Sequence, residues 1–225
     1  EVLISFPPLF LGMVLPQWSA AMAQNDTKMF QKWMDWALSL SAMFTIPLVL
    51  GTLPLARDIM VFVAGADFAG SGVILQILII ATGIIFMGNV FGYAIVAVGE
   101  QKRMIPFYCI AAIISLFAYW KAIVNFGVEG AAWTTVVVEV FILFSAVGVL
   151  KNRINTSITI QYLTKYIISG IIMFVVLLLV HNVIHILVSV VLGMLVYGIV
   201  LWAIGGINIL SIKEIFTFQS SKSRG

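Results

Sequence analysis

The sequence predicts an all-α, polytopic membrane helix bundle, and three observations carry that prediction. Of its 225 residues, 62% are hydrophobic and 9% are charged, against roughly a quarter charged in an ordinary soluble domain. Apolar segments long enough to cross a bilayer recur along the whole chain, which leaves no stretch for a separate water-soluble domain. Backbone groups in hydrocarbon must be satisfied within a helix or a closed barrel, and no period-two alternation marks a barrel.

At about twenty apolar residues per span, seven crossings are expected, at residues 2–23, 35–63, 72–98, 104–124, 130–150, 165–182 and 185–207. The connections are short. In "QNDTKMFQK", Asn25 or Asp26 can cap the next helix, and Trp33 and Trp36 suit the membrane interface. "GADFAGSG" is a loop by its glycines, followed by "GEQKR", "NFGVEG", the longer "KNRINTSITIQYLTK" and a tight last turn, "HNVIH". Residues 1–150 thus hold five spans, and residues 151–225 a linker, two further spans and a tail. The chain opens on Glu1 and is apolar from Val2, without a charged region and cleavage site of a signal peptide, so a piece of a longer protein is expected.

Ten Lys and Arg residues fall on one face: Lys28 and Lys32; Lys102 and Arg103; Lys151, Arg153 and Lys165; Lys213, Lys222 and Arg224. Only Arg57 and Lys121 fall on the other. The positive-inside rule makes the richer face, and with it the C-terminus, cytoplasmic. "NDT" at Asn25 and "NTS" at Asn155 then lie on the wrong side for N-glycosylation. The small net charge of +3 gives no reason to expect a nucleic-acid partner. "INILSIKEIFTF" in the tail reads equally well as an interfacial helix or a frayed terminus.

Pro7, Pro8 and Pro16 in the first span, and Pro47 and Pro54 in the second, each remove a backbone donor. Two readings weigh equally: bent helices around a water-lined cavity, or the ordinary frequency of proline in membrane helices. The third span holds Gly83, Gly88 and Gly92, and "GNVFG" reads first as a small-residue packing face. Asn89 and Tyr93, a turn apart, are placed to bond across helices or to contact a sugar.

The fifth span carries one carboxylate, Glu139, in "TTVVVEVFILFSA". It lies near the bilayer centre, where a charged side chain costs roughly 2.5–3.5 kcal/mol by insertion scales. Glu139 must therefore face the bundle or a wet cavity, or be protonated. Within its own helix only Thr135 is a polar neighbour. Two roles remain open on physical grounds: a hydrogen-bonded structural acid and a part in transport.

Cys109 is a single cysteine, which excludes an internal disulfide. His181 and His185 stand four apart without the Glu of HExxH, so a turn is the expected role rather than a metal site. No nucleophile elbow, phosphate loop or paired-carboxylate arrangement occurs, so no catalytic residues, cofactor or enzyme activity is expected.

Three stretches carry a resemblance: "IPLVLGTLPLARDIMVFVAGADFAGSGVILQILIIA", "NVFGYAIVAVGEQKRMIPF" and "FGVEGAAWTTVVVEV". In order and spacing over residues 36–146 they resemble the polysaccharide-transport branch, the Wzx-type O-antigen flippases, of the multidrug/oligosaccharidyl-lipid/polysaccharide exporter superfamily. The resemblance implies a two-lobed exporter of 12–14 helices, with this chain forming most of the C-terminal lobe. It further implies alternating access in a bacterial inner membrane, moving undecaprenyl-pyrophosphate-linked glycan for O-antigen, capsule or exopolysaccharide synthesis. The expected partners are that lipid-linked oligosaccharide, membrane lipids and the N-terminal lobe, with a polysaccharide polymerase and a chain-length regulator as further ones. Glu139, Asn89, Tyr93 and Thr135 are then candidates for the cavity or for coupling to a proton or Na⁺. Arg57 and Lys121 are candidates for contacting phosphate or glycan. The alternative is a cation-coupled multidrug exporter of the related family; a membrane polymerase or acyltransferase would need a longer outer loop than any here.

Overall fold

A computed structural model of the protein describes residues 6–154, 161–180 and 183–206, and all regular structure among them is helical. Helix α1 is Phe6–Ala23, α2 is Thr27–Ala64 and α3 is Gly72–Ala97, with a 3-10 turn, Ala66–Ser71, between α2 and α3. The next helical segment, Gln101–Arg153, contains non-helical backbone at Gly127 (φ 60°, ψ −142°). Across that point the Tyr119 and Thr135 hydroxyls lie 2.8 Å apart, whereas their separation in sequence would put them about 24 Å apart along a straight helix. The segment is therefore a helical hairpin: α4 (residues 101–126) runs to the turn and α5 (residues 128–153) returns. Helices α6, Gln161–Val180, and α7, Ile186–Ala203, complete the described fold.

"NFGVEG" makes this reversal possible. Gly127 supplies a positive φ that a side chain would strain, and a Cβ at Gly130 would collide with the Ala122 carbonyl. At the far end Glu100 closes the hairpin, its carboxylate accepting Arg103 Nε at 2.9 Å and Arg153 Nε at 3.2 Å.

Five helical segments are long and apolar enough to cross a membrane, and the hairpin crosses twice. The chain is a multi-pass membrane protein. The expected first crossing, residues 2–23, begins outside the described residues, and its described part forms α1. Helix α1 is held by burial of Leu11, Val14 and Trp18.

Helix α2 contains the expected span at residues 35–63 and begins eight residues before it, at the cap expected of Asn25 or Asp26. Its 38 residues extend about 57 Å, well beyond a hydrocarbon core of about 30 Å. Asp26 is its cap, accepting the Met29 amide at 2.9 Å, while Asn25 turns the chain at φ 54°. Trp33 was expected at the interface; it is buried, and packs edge-on against Trp36 with ring centroids 5.8 Å apart. The early start of α2 carries Trp33 into the core that α1, α2, α3 and α5 share.

Helices α6 and α7 pack on α2 around Ala42, Leu55, Tyr166, Met173, Leu177 and Tyr197. Two tyrosine hydroxyls fix this arrangement. Tyr166 Oη lies 2.6 Å from Ser39 Oγ, and Tyr197 Oη donates to the Met43 carbonyl at 3.0 Å. That carbonyl lies four residues before Pro47, which has no N–H to give it. A neighbouring helix thus satisfies the group that the proline frees.

Candidate functional site

The polar residues of the α4–α5 hairpin form a seam. Tyr119 on α4 meets Thr135 on α5, and Thr135 Oγ1 also donates to the Ala131 carbonyl at 3.2 Å. Glu139 follows Thr135 by one turn. On the adjoining edge of α5, Ala132 and Val136 are buried against Ile77 and Ala81 of α3, with Val140 packed beside them. Glu139 therefore lies between the edge of α5 that meets α4 and the edge that meets α3. It is half-buried and has no hydrogen-bond or ion-pair partner among the described residues. The opposite face of α5, with Trp133, Val137 and Phe144, is exposed and apolar, as a lipid-facing surface is.

Asn89 and Tyr93 lie in the other half of α3. Tyr93 packs partly against the core that includes Val90 and Phe91. Asn89 is half-buried and makes no hydrogen bond to a described residue. Parallel packing of α3 on α5 pairs Ile77 and Ala81 with Ala132 and Val136, which sets Asn89 about 8 Å below Glu139 along the bundle. The two belong to neighbouring levels and are not in contact.

The glycines of α3 divide. A Cβ at Gly83 would come within 2.8 Å of Val49 on α2, so this glycine does allow a close helix approach. A Cβ at Gly88 or Gly92 would meet no neighbouring helix within 4 Å, so the expected packing role of "GNVFG" finds no partner helix among the described residues. Its small-residue strip is open, beside Asn89.

Arg57 is exposed near the end of α2, where its backbone abuts Gly72. Lys121 is exposed near the hairpin turn, in an open concavity of about 390 Å³ with Phe117, Trp120, Val124 and Asn125. Glu139 is about 9 Å farther from the turn than Lys121, so the hairpin does not pair them. His185 caps α7, its Nδ1 accepting the Leu187 amide at 3.3 Å, and its ring meets Phe62. His181, Asn155 and the tail segment lie outside the described residues.

A cavity of about 430 Å³ opens between α2, α6 and α7, lined by Pro47, Leu55, Met173, Leu177, Val190 and Tyr197 among others. Its wall is almost wholly apolar and suits hydrocarbon rather than a glycan. Tyr119, Tyr166 and Tyr197 are the polar residues that sequence reading missed. Their partners are remote in sequence, and only Pro47 hinted that a carbonyl four residues earlier needed a donor.

No known protein family matches the sequence, and no curated protein matches it. Among solved structures the chain is similar to the lipid II flippase MurJ in its inward closed conformation, with a TM-score of 0.68 and 17% identity. The match covers 88% of this chain and 46% of that one. The fold is MurJ-like. The chain spans a little under half of MurJ's length. Within this MurJ-like fold, Asn89 on the open strip of α3 and Glu139 beside the seam of α4 and α5 have no hydrogen-bond partner among the described residues.

Proposed function

We propose that this chain is part of a flippase that moves undecaprenyl-pyrophosphate-linked oligosaccharide from the inner to the outer leaflet of a bacterial inner membrane. The product serves surface polysaccharide synthesis: O-antigen, capsule or exopolysaccharide. The observation that carries the proposal is the MurJ-like fold over 88% of the chain. The Wzx-type order of motifs over residues 36–146 points to an oligosaccharide as the cargo. In this reading a second lobe faces the open strip of α3 and the glycan passes between lobes by alternating access, while the lipid tail stays in hydrocarbon. Polysaccharide polymerase and chain-length regulator act next to it. The basic face and the C-terminus are cytoplasmic.

Glu139, Asn89, Tyr93 and Thr135 serve the cavity or coupling, and Arg57 and Lys121 meet phosphate or glycan near the outer surface. One observation favours a second reading. Glu139 has no partner among the described residues, as a residue that takes up H⁺ or Na⁺ would require, and a cation-coupled multidrug exporter needs such a residue.

Deletion of the gene and complementation with the intact protein separates the readings. The flippase reading expects loss of surface glycan, accumulation of lipid-linked oligosaccharide on the cytoplasmic side and recovery on complementation. Normal glycan with raised sensitivity to amphipathic cations would replace it by the drug-export reading.

A further inference from the structure

The structure assigns a phosphate-binding clip to the α3–α4 turn and the end of α5, and we propose that it holds the headgroup of an anionic phospholipid. Glu100 draws two guanidinium groups to one carboxylate, Arg103 from α4 and Arg153 from α5, at 2.9 and 3.2 Å. The carboxylate is largely covered (17% exposed), while the arginine side chains remain 58% and 54% exposed. One negative charge offsets only one of the two cations. Lys102 and Lys151, both exposed, adjoin them in sequence and add to the excess.

Two cations held side by side repel each other, and a further anion relieves that repulsion. A phosphate is the matching anion, because each planar guanidinium presents paired donors to its oxygens. The clip stands where three helix ends meet the membrane surface, not in a cavity, which is the level of lipid headgroups. Anionic lipids of the cytoplasmic leaflet supply phosphate at that level. The assignment to that leaflet rests on the orientation given under Proposed function.

The test uses the full-length protein purified in detergent at low ionic strength. Short-chain phosphatidylglycerol and phosphatidylcholine are titrated in, and retained lipid is counted by native mass spectrometry. Phosphatidylglycerol is expected to be retained in preference. Arg103→Gln/Arg153→Gln should weaken its retention roughly tenfold or more. Glu100→Gln decides between a built clip and a merely basic surface. It adds net positive charge, yet releases the arginines from alignment, so the clip expects weaker retention. Unchanged or tighter retention by Glu100→Gln overturns the proposal.

Equal loss in Lys28→Gln/Lys213→Gln, which removes two charges elsewhere on the same expected face, overturns it too. Displacement of the lipid by micromolar inorganic pyrophosphate would assign the clip to a substrate pyrophosphate and overturn the lipid assignment. If the double variant does not fold, Glu100→Gln and Arg153→Gln alone carry the test. Binding in detergent is blind to sidedness, so a failure of orientation appears separately, as labelling at position 102 from outside the cell.

Discussion

Replacing Tyr197 by Phe removes one hydroxyl and leaves the Met43 carbonyl without a donor from α7. Hydrogen bonds between membrane helices average roughly 0.6 kcal/mol and reach about 1.7 kcal/mol. The bond to Met43 belongs near the top of that range, because Pro47 has already removed the amide that would serve the same carbonyl. A loss of about 1.5 kcal/mol is therefore expected. In a Pro47→Ala background the residue-47 amide can close the helical bond, and Tyr197→Phe should then cost only about 0.5 kcal/mol. The coupling of about 1 kcal/mol is roughly a fivefold difference in the unfolding equilibrium. The assay is a double-mutant cycle on the full-length protein, unfolded in mixed micelles and followed by helix content. Equal losses in the two backgrounds would show that the tyrosine packs beside the proline without serving its carbonyl.

Glu139→Gln in the intact protein is expected to leave abundance normal and to lower glycan export; unchanged surface glycan at matched expression would retire its transport role. Gly130→Ala should sharply reduce folded protein, because its Cβ meets the Ala122 backbone, whereas Gly88→Ala should leave folding intact. Comparable yields of the two variants on size exclusion would contradict the hairpin geometry. A cysteine at Lys102, with Cys109→Ala to remove the exposed native thiol, should resist an impermeant thiol reagent in whole cells. Ready labelling there would reverse the orientation.

Hydropathy located helices well where the bilayer sets their length, as in α3, expected at residues 72–98 and found at Gly72–Ala97. It also located the crossing in α2, expected at residues 35–63, while the helix itself starts earlier because the scale reports immersion and not helicity. The polar first turns of α2 continue a helix capped by Asp26 outside the hydrocarbon. Burial of Trp33 follows from that extension and from its fit against α1 and α3, which no single segment encodes. The turn between α4 and α5 was legible because a reversal this tight needs Gly127 and Gly130. Gly83, Gly88 and Gly92 looked alike in sequence, yet only the first meets another helix closely. Which side of a helix finds a neighbour depends on the whole bundle. The candidate site was legible in its carboxylate and in Thr135, and illegible in Tyr119, sixteen residues away and opposite only because the chain turns back.

The polar groups inside the membrane fall into two sets, and the division bears on function. Ser39 with Tyr166, Met43 with Tyr197, and Leu53 with Gln76 at 2.8 Å are satisfied between helices of this chain. All three bonds converge on α2, so the chain's own hydrogen bonding specifies how α3, α6 and α7 sit on that helix. Glu139 and Asn89 make no such bond among the described residues, although each lies deep in a span where solitude is costly. Under the proposed function Glu139 meets a group from a second lobe, a bound cation or the cargo. Glu139→Gln tests that reading, because it keeps the size of the side chain, replaces one carboxylate oxygen by an amide donor and removes the ability to ionise.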